Sequence, residues 1–386
     1  MSIAVVPSIT GRRGTRRSRL NINIDSKVDA PEWNGFVACH SAGTLFQTTH
    51  WEAFLKQYLE VPTYFATARS ETGELVGSML FWNEPFGYRQ FLFERPVVSL
   101  FGSAFQRFLP AMQWLYGPLV NSPDPLERVE ITRGILKEIN EFSLEAGAVG
   151  IAGSPAPIHD PGAPDLGKLF EAEGFEAREW ATYLTTLDDQ LWESFDKSVR
   201  KAVRRTEKAG VVVERIENLM QLRDYYEQAV PSWRSRGARI FSFENYSVMW
   251  EVLHPIGAVE FFVARRDGEQ LGGLGVWAFN GILTEFGVVR SQKSIDEKLY
   301  VGDLIKWEIM KWGVGQGFRL YDLAGVSPTP GAGKEEGIMR FKKKWGGMPV
   351  GYSMFEKRFP GLKSAALATV KSLIGRRKRA VSEEGA

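Results

Sequence analysis

The chain has 386 residues, enough for two or three domains at about 150 residues each. Its composition of 44% hydrophobic and 24% charged residues, with 25 Phe and 12 Trp, excludes a disordered chain and supplies material for large cores. Forty-eight Lys and Arg face 46 Asp and Glu, a net charge of +2, so the protein is no basic sheath for nucleic acid and any basic site has to be local. The one cysteine, Cys39, excludes disulfides within the chain and Cys-rich zinc sites. Its four histidines stand far apart, so no metal is expected. Met1 to Ile9 is too short an apolar stretch for a signal peptide, and the arginines follow it rather than precede it. Pro96 to Val120, the most apolar segment, is broken by Gln106, Arg107 and Pro110, so no bilayer span is expected. A cytoplasmic, reduced protein is the reading.

The chain starts with a basic stretch, GRRGTRRSR at 11–19, read as part of a mobile tail over 1–24. Next come two hairpins of similar spelling. Tyr64 to Trp82 reads YFATARSETGELVGSMLFW and Phe261 to Trp277 reads FFVARRDGEQLGGLGVW. Each is an apolar strand, a polar Gly-bearing turn and a second apolar strand ending in Trp. Each hairpin is followed by a helix that stops at a Gly and then a short strand with a Pro-bearing loop, at 131–155 and at 304–328. The same order at unequal offsets, 195 residues between Gly73 and Gly268 but 170 between Gly147 and Gly317, indicates a duplicated domain with different insertions. Between the units lies a basic helical segment, Asp188 to Gly210, after which VVVERI restarts as a strand. A second basic stretch, RRKRAVSEEGA, closes the chain as a tail over 366–386.

The glycines of Gly272-Gly273-Leu274-Gly275 lie inside an alternating strand, so they offer no helix N-terminus to a phosphate. P-loop and nucleophile-elbow spellings do not occur. The mixed sheet and duplication resemble the acetyltransferase superfamily, whose members hold acetyl-CoA with a Gln/Arg-x-x-Gly-x-Gly/Ala segment opening a helix. Here the nearest spelling, Met310-Lys-Trp-Gly313-Val-Gly315, lacks the leading Gln or Arg and closes a helix instead. Acetyl-CoA is therefore not the expected donor, and no cofactor is expected.

Four segments carry a closer resemblance: Gln47-Thr48-x-x-Trp51, the run from Ser198 to Val211, the strand Tyr321-Asp322-Leu323-Ala324-Gly325, and Gly337 to Gly347, GIMRFKKKWGG. Their order resembles the Fem family of aminoacyl-tRNA-dependent transferases, which build peptidoglycan cross-bridges. The resemblance covers about residues 30 to 360. It implies an α+β protein of two tandem acetyltransferase (GNAT)-like domains, with mixed, mostly antiparallel sheets flanked by helices. Since no heptad pattern runs through 210–300, the family's coiled-coil arm is not expected. Domain 1 is placed at 25–180, joined by 346–365, and domain 2 at 181–345.

The resemblance implies transfer of an amino acid from aminoacyl-tRNA to an amine of a peptidoglycan precursor, UDP-linked or lipid-linked, by a monomer with at most peripheral membrane contact. Attack of an amine on an ester forms an oxyanion, which a fixed cation stabilises. Lys342, beside Phe341, is the expected catalytic cation, and in an extended segment its neighbour Lys343 would point elsewhere. Arg200 and Arg204, four apart on one helix face, are expected to grip a diphosphate in the cleft between the domains. Gln47, Trp51, Lys56, Phe286 and Lys343 complete the expected substrate contacts. The family has a Lys four residues after the Trp; here that position is Leu55, and Lys56 follows. Two other readings stay open: an acyl- or aminoacyltransferase acting on a small molecule, polysaccharide or lipid, and a binding protein that keeps the duplicated fold without catalysis.

Overall fold

A computed structural model of the chain describes residues 20–84, 109–235, 240–326, 334–361 and 363. The basic stretches at 11–19 and 376–386, and much of Pro96 to Val120, lie outside the described residues. Residues 21–24, read above as tail, are a strand: β1 (Asn21–Asp25) pairs antiparallel with the first hairpin. Its backbone groups find partners on an otherwise open sheet edge.

The first unit continues with α1 (Ala30–Cys39), α2 (Thr49–Leu59), the hairpin β2 (Thr63–Arg69) and β3 (Leu75–Asn83), then β4 (Met112–Trp114) and β5 (Leu119–Val120). Helix α3 (Pro125–Glu145) crosses back to β6 (Gly150–Gly153), and α4 (Leu166–Ala172) leads to β7 (Glu176–Thr186). The second unit repeats this plan after α5 (Leu191–Ser194), α6 (Lys197–Lys208) and the edge strand β8 (Val212–Arg215). It has α7 (Leu219–Ser235), α8 (Phe243–Val252), the hairpin β9 (Val259–Arg266) and β10 (Glu269–Phe279), and β11 (Ile282–Arg290). After α9 (Gln292–Asp296), helix α10 (Val301–Gly315) crosses to β12 (Leu320–Val326), and α11 (Lys334–Lys343) leads to β13 (Met348–Arg358).

Local chemistry sets these boundaries. Asp124 caps α3 through the Leu126 amide, Pro125 opens it, and Gly147 follows it at φ 67°. Asp267-Gly268 and Asn280-Gly281 both hold positive φ at two consecutive residues, the geometry of two-residue hairpin turns. The basic segment Asp188 to Gly210 is not one helix. It breaks at Phe195, and Asp196 then caps α6 by accepting from the Ser198 amide.

The thirteen strands of the described residues form one sheet, ordered β1-β2-β3-β4-β6-β13-β7-β12-β11-β10-β9-β8, with β5 beside β3. The order reads as a palindrome. The two hairpins take second and third place from opposite ends, and the parallel pairs β4–β6 and β11–β12 are each joined through a crossover helix. The centre is exchanged: β13, at the end of the second unit, pairs with β6 of the first, while β7 of the first pairs with β12 of the second. β13 and β7 pair with each other along nine residues. Phe170 of α4 secures the exchange, stacked between Trp114 of β4 and Phe355 of β13 at centroid distances of 5.6 and 4.2 Å. Aromatic pairs of this kind contribute about 0.5–1.5 kcal/mol each beyond their burial. One core fills each unit, and a third joins Trp33, Phe54 and Leu80 of the first unit to Tyr225, Tyr246 and Phe261 of the second. That shared core underlies the cleft.

Candidate active-site cleft

Three glycines in β10 admit close packing behind the cleft wall and on the opposite face of the strand. An added Cβ would lie 2.9 Å from the Val301 side chain at Gly272, 2.4 Å from the Tyr225 ring at Gly273 and 2.5 Å from the Phe286 ring at Gly275. They give room for a helix and two rings to press on the strand, a packing role that the nucleotide-loop spelling had concealed. Phe286 then stacks on Trp277 at 4.2 Å, and Phe46 meets both Trp277 and Trp51 edge-on at 5.2 and 4.8 Å. These four rings, two from each unit, enclose a cleft of ≈ 610 Å³ that also reaches Tyr116, Trp233 and Tyr246. Its floor is Thr284, Glu285, Asp322, Ala324 and Gly325. No Lys or Arg belongs to its lining among the described residues. The indole nitrogens of Trp51 and Trp277 and Oδ1 of Asn245 are buried without a hydrogen-bond partner among the described residues, leaving two donors and an acceptor unused at the wall.

The two floor carboxylates have different surroundings. Glu285 forms a short ion pair with the buried Lys306 of α10, and Tyr321 Oη donates to it at 3.0 Å. Asp322 accepts from Thr182 Oγ1 and, at 2.9 Å, from the Ala324 amide, both at Oδ1. It has no ion pair within 4 Å among the described residues. Burial raises its carboxyl from 3.8 to about 6, against the lowering effect of those hydrogen bonds and of Lys342.

That shift has a sign that can be measured. The folded state holds the Asp322 proton more tightly than the unfolded state, so its contribution to stability falls as pH rises from about 4 to about 6. The cost above that window is about 3 kcal/mol. Asp322→Asn keeps an acceptor for Thr182 and Ala324, so its urea midpoint is expected to gain on wild type as pH rises through the window. A difference that stays constant from pH 4 to 7 would contradict the burial argument.

Asp322 and Gly325 flank a register shift between β12 and β7, and Ala324 inside it holds a left-handed φ of 64°. The bulge turns two carbonyls outward from the ladder. Lys342 donates to both of them, to Ala324 O at 2.7 Å and Gly325 O at 3.1 Å, and is only 8% exposed. Burial lowers its pKa, while the charges of Glu285 and Asp322 act to raise it.

The sequence-derived site residues divide in space. Trp51 and Phe286 line the cleft, and Lys342 stands directly behind its floor. The segment carrying Lys342 is helical rather than extended; Lys343 still points elsewhere, to solvent, because neighbours on a helix are turned by about 100°. Phe341 is 39% exposed, its ring 5.8 Å from Lys306 Nζ, and the buried anchor of the segment is Trp345. The glycines beyond it serve packing, since a Cβ at Gly346 would lie 2.6 Å from Ser194 Oγ. Gln47 is fully buried and bonds the Leu115 carbonyl and the Leu80 amide, so it braces the chain behind the cleft rather than contacting a ligand. Lys56 pairs with Glu52 one turn earlier on α2. Arg200 donates to the Trp192 and Glu193 carbonyls, and Arg204 lies over the Trp192 ring at 5.5 Å. Neither arginine reaches the cleft, which corrects the diphosphate grip expected there. Glu285 and Lys306 escaped sequence reasoning because no spelling marks a pair formed between a strand and a crossover helix.

Residues 193–343 match the family model of the acetyltransferase (GNAT) domain. No curated protein matches the chain by sequence. Among solved structures, FemX superposes with a TM-score of 0.68 at 17% identity, over 86% of this chain and 96% of that one. A tandem GNAT protein from the clavulanic acid biosynthesis pathway gives 0.54 at 13% identity, over 89% and 99%. The L-PGS structure from Bacillus licheniformis gives 0.51 at 14%, over 90% and 97%. The fold is the tandem GNAT fold, α+β with helices flanking a mixed sheet. No helix among the described residues is long and apolar enough to cross a membrane.

Proposed function

We propose that the protein is an acyltransferase that moves an amino acid from aminoacyl-tRNA to an amine of a peptidoglycan precursor. The observation that carries this reading is the floor of the cleft between the two units. It places carboxylates at the surface of an aromatic cleft and a buried ammonium, Lys342, immediately behind them. Amine attack on an ester needs a proton acceptor and a cation near the oxyanion, and it needs neither a metal nor a nucleophilic side chain. The Fem-type segments 47–51, 198–211, 321–325 and 337–347 support the donor and acceptor classes. Likeness to FemX along most of both chains supports the same choice of fold relative.

Asp303 argues against an acyl-CoA donor in the second unit. It lies in the first turn of the crossover helix α10, and burial raises its carboxyl to about 6. At neutral pH an anion therefore already occupies the helix end that would attract a diphosphate. Purified protein incubated with charged total tRNA and muropeptide precursors is expected to give a precursor heavier by one aminoacyl residue, detected by mass spectrometry. Product formed from acetyl-CoA alone, with charged tRNA inert, would favour acyl transfer to a small molecule, polysaccharide or lipid instead.

A further inference from the structure

The cleft contains one carboxylate with no ion pair within 4 Å among the described residues, and its walls suit a cation. Glu285 is committed to Lys306 and Tyr321. Asp322 spends both of its bonds on Oδ1, leaving Oδ2 without a bond among the described residues. Trp51, Trp277 and Phe286 present ring surfaces beside it, and ring faces attract ammonium groups when water is excluded. We infer that Asp322 is the general base of the transfer reaction, binding the acceptor's primary ammonium in the cleft and taking its proton. This assignment rests on the reading of the cleft as the site of amine acylation.

The proton balance closes. Asp322 removes one proton from R–NH3⁺, and the freed amine forms a C–N bond to the ester carbonyl carbon. The protonated carboxyl then donates to the departing ribose oxygen as the C–O bond breaks. The carboxylate takes the surplus proton from the new amide nitrogen and releases it to solvent. No oxidant, metal or covalent enzyme intermediate enters.

The groups facing Asp322 set its behaviour. Lys342 comes from α11, Glu285 from β11, Tyr116 from the turn after β4, Tyr352 from β13, and Tyr321 is its neighbour in β12. Burial raises all three tyrosines above the ordinary phenol range, so none of them supplies a base near neutral pH. Asp322, raised to about 6, is ionised above that pH and is protonated more readily than an ordinary carboxylate.

The test uses Asp322→Asn in the full chain. In single-turnover transfer from charged tRNA to the precursor, the variant is expected to lose on the order of 100-fold or more in rate. It is also expected to lose the limb of the wild-type rate profile that rises through about pH 6, while being no less resistant to urea than wild type at pH 7. A variant that keeps the wild-type pH profile overturns the assignment. If the wild type transfers nothing from any charged tRNA, the donor reading fails and the base is judged by binding instead. Calorimetry with Nα-acetyllysine amide as probe, and its norleucine analogue as control, is then expected to show lysine-selective binding. That binding should strengthen as pH rises through about 6 and be lost in Asp322→Asn. Binding that ignores pH, or equal binding of the norleucine analogue, overturns it.

Discussion

Lys342→Ala is expected to slow aminoacyl transfer by on the order of 100-fold to 1000-fold, with little change in acceptor affinity. The ammonium is nearly buried, and its bonds to Ala324 O and Gly325 O fix it against the back of the cleft floor. An ammonium has three donors, so two such bonds leave one N–H uncommitted. In a low-dielectric setting that fixed charge favours the oxyanion more than the neutral ester, so the loss falls on turnover. Lys342→Met keeps most of the volume and should lose rate as severely, which separates charge from packing. Lys343→Ala removes a solvent-exposed cation one residue away and is expected to be mild. Equal rates for the Lys342 and Lys343 variants in a single-turnover assay would reduce Lys342 to a structural clamp on the β12 bulge.

Lys306→Ala is expected to cost about 3–5 kcal/mol of stability, because it strands a buried carboxylate. The side chains of Lys306 and Glu285 are only 3% and 9% exposed. Tyr321 Oη alone would then be left to satisfy Glu285, at 3.0 Å. Replacing both partners, as Lys306→Met with Glu285→Gln, removes the buried charges together and is expected to recover most of that loss. Urea titrations of the two single variants and the double variant complete the cycle. Additive losses would mean the pair is solvated rather than closed.

How far these residues were legible in the sequence varies with the range of the interaction that places them. Trp51 and Phe286 line the cleft, each on an element whose apolar pattern is local. Lys342 was singled out through its spelling with Phe341 and the glycines, yet its neighbours exchanged roles: Trp345 is the buried anchor and Phe341 lies half-exposed. Gln47 was singled out only through the Gln-Thr-x-x-Trp spelling. Whether its amide faces a ligand or the backbone of β3 depends on a strand more than 30 residues away. Arg200 and Arg204 do lie on one helix, but their distance from the cleft depends on how α6 packs on α10.

By itself, the sequence determined the hairpins, the crossover helices and the duplication, because hydrophobic period, Gly-bearing turns and helix caps act over a few residues. It also excluded Cys-rich metal sites and disulfides, through residue types that are too few or too scattered. Joining of 346–365 to the first unit was an expectation of the resemblance. Only the tertiary structure decided that β7 pairs in return with β12, since pairing of strands so far apart in sequence leaves no local trace. The same long-range pairing brings Asp322, Glu285 and Lys342 together from two strands and a helix. Their burial, unlike their identity, is a property of the packed sheet, and burial is what separates a base, a neutralised acid and a clamped cation among three ordinary charged residues.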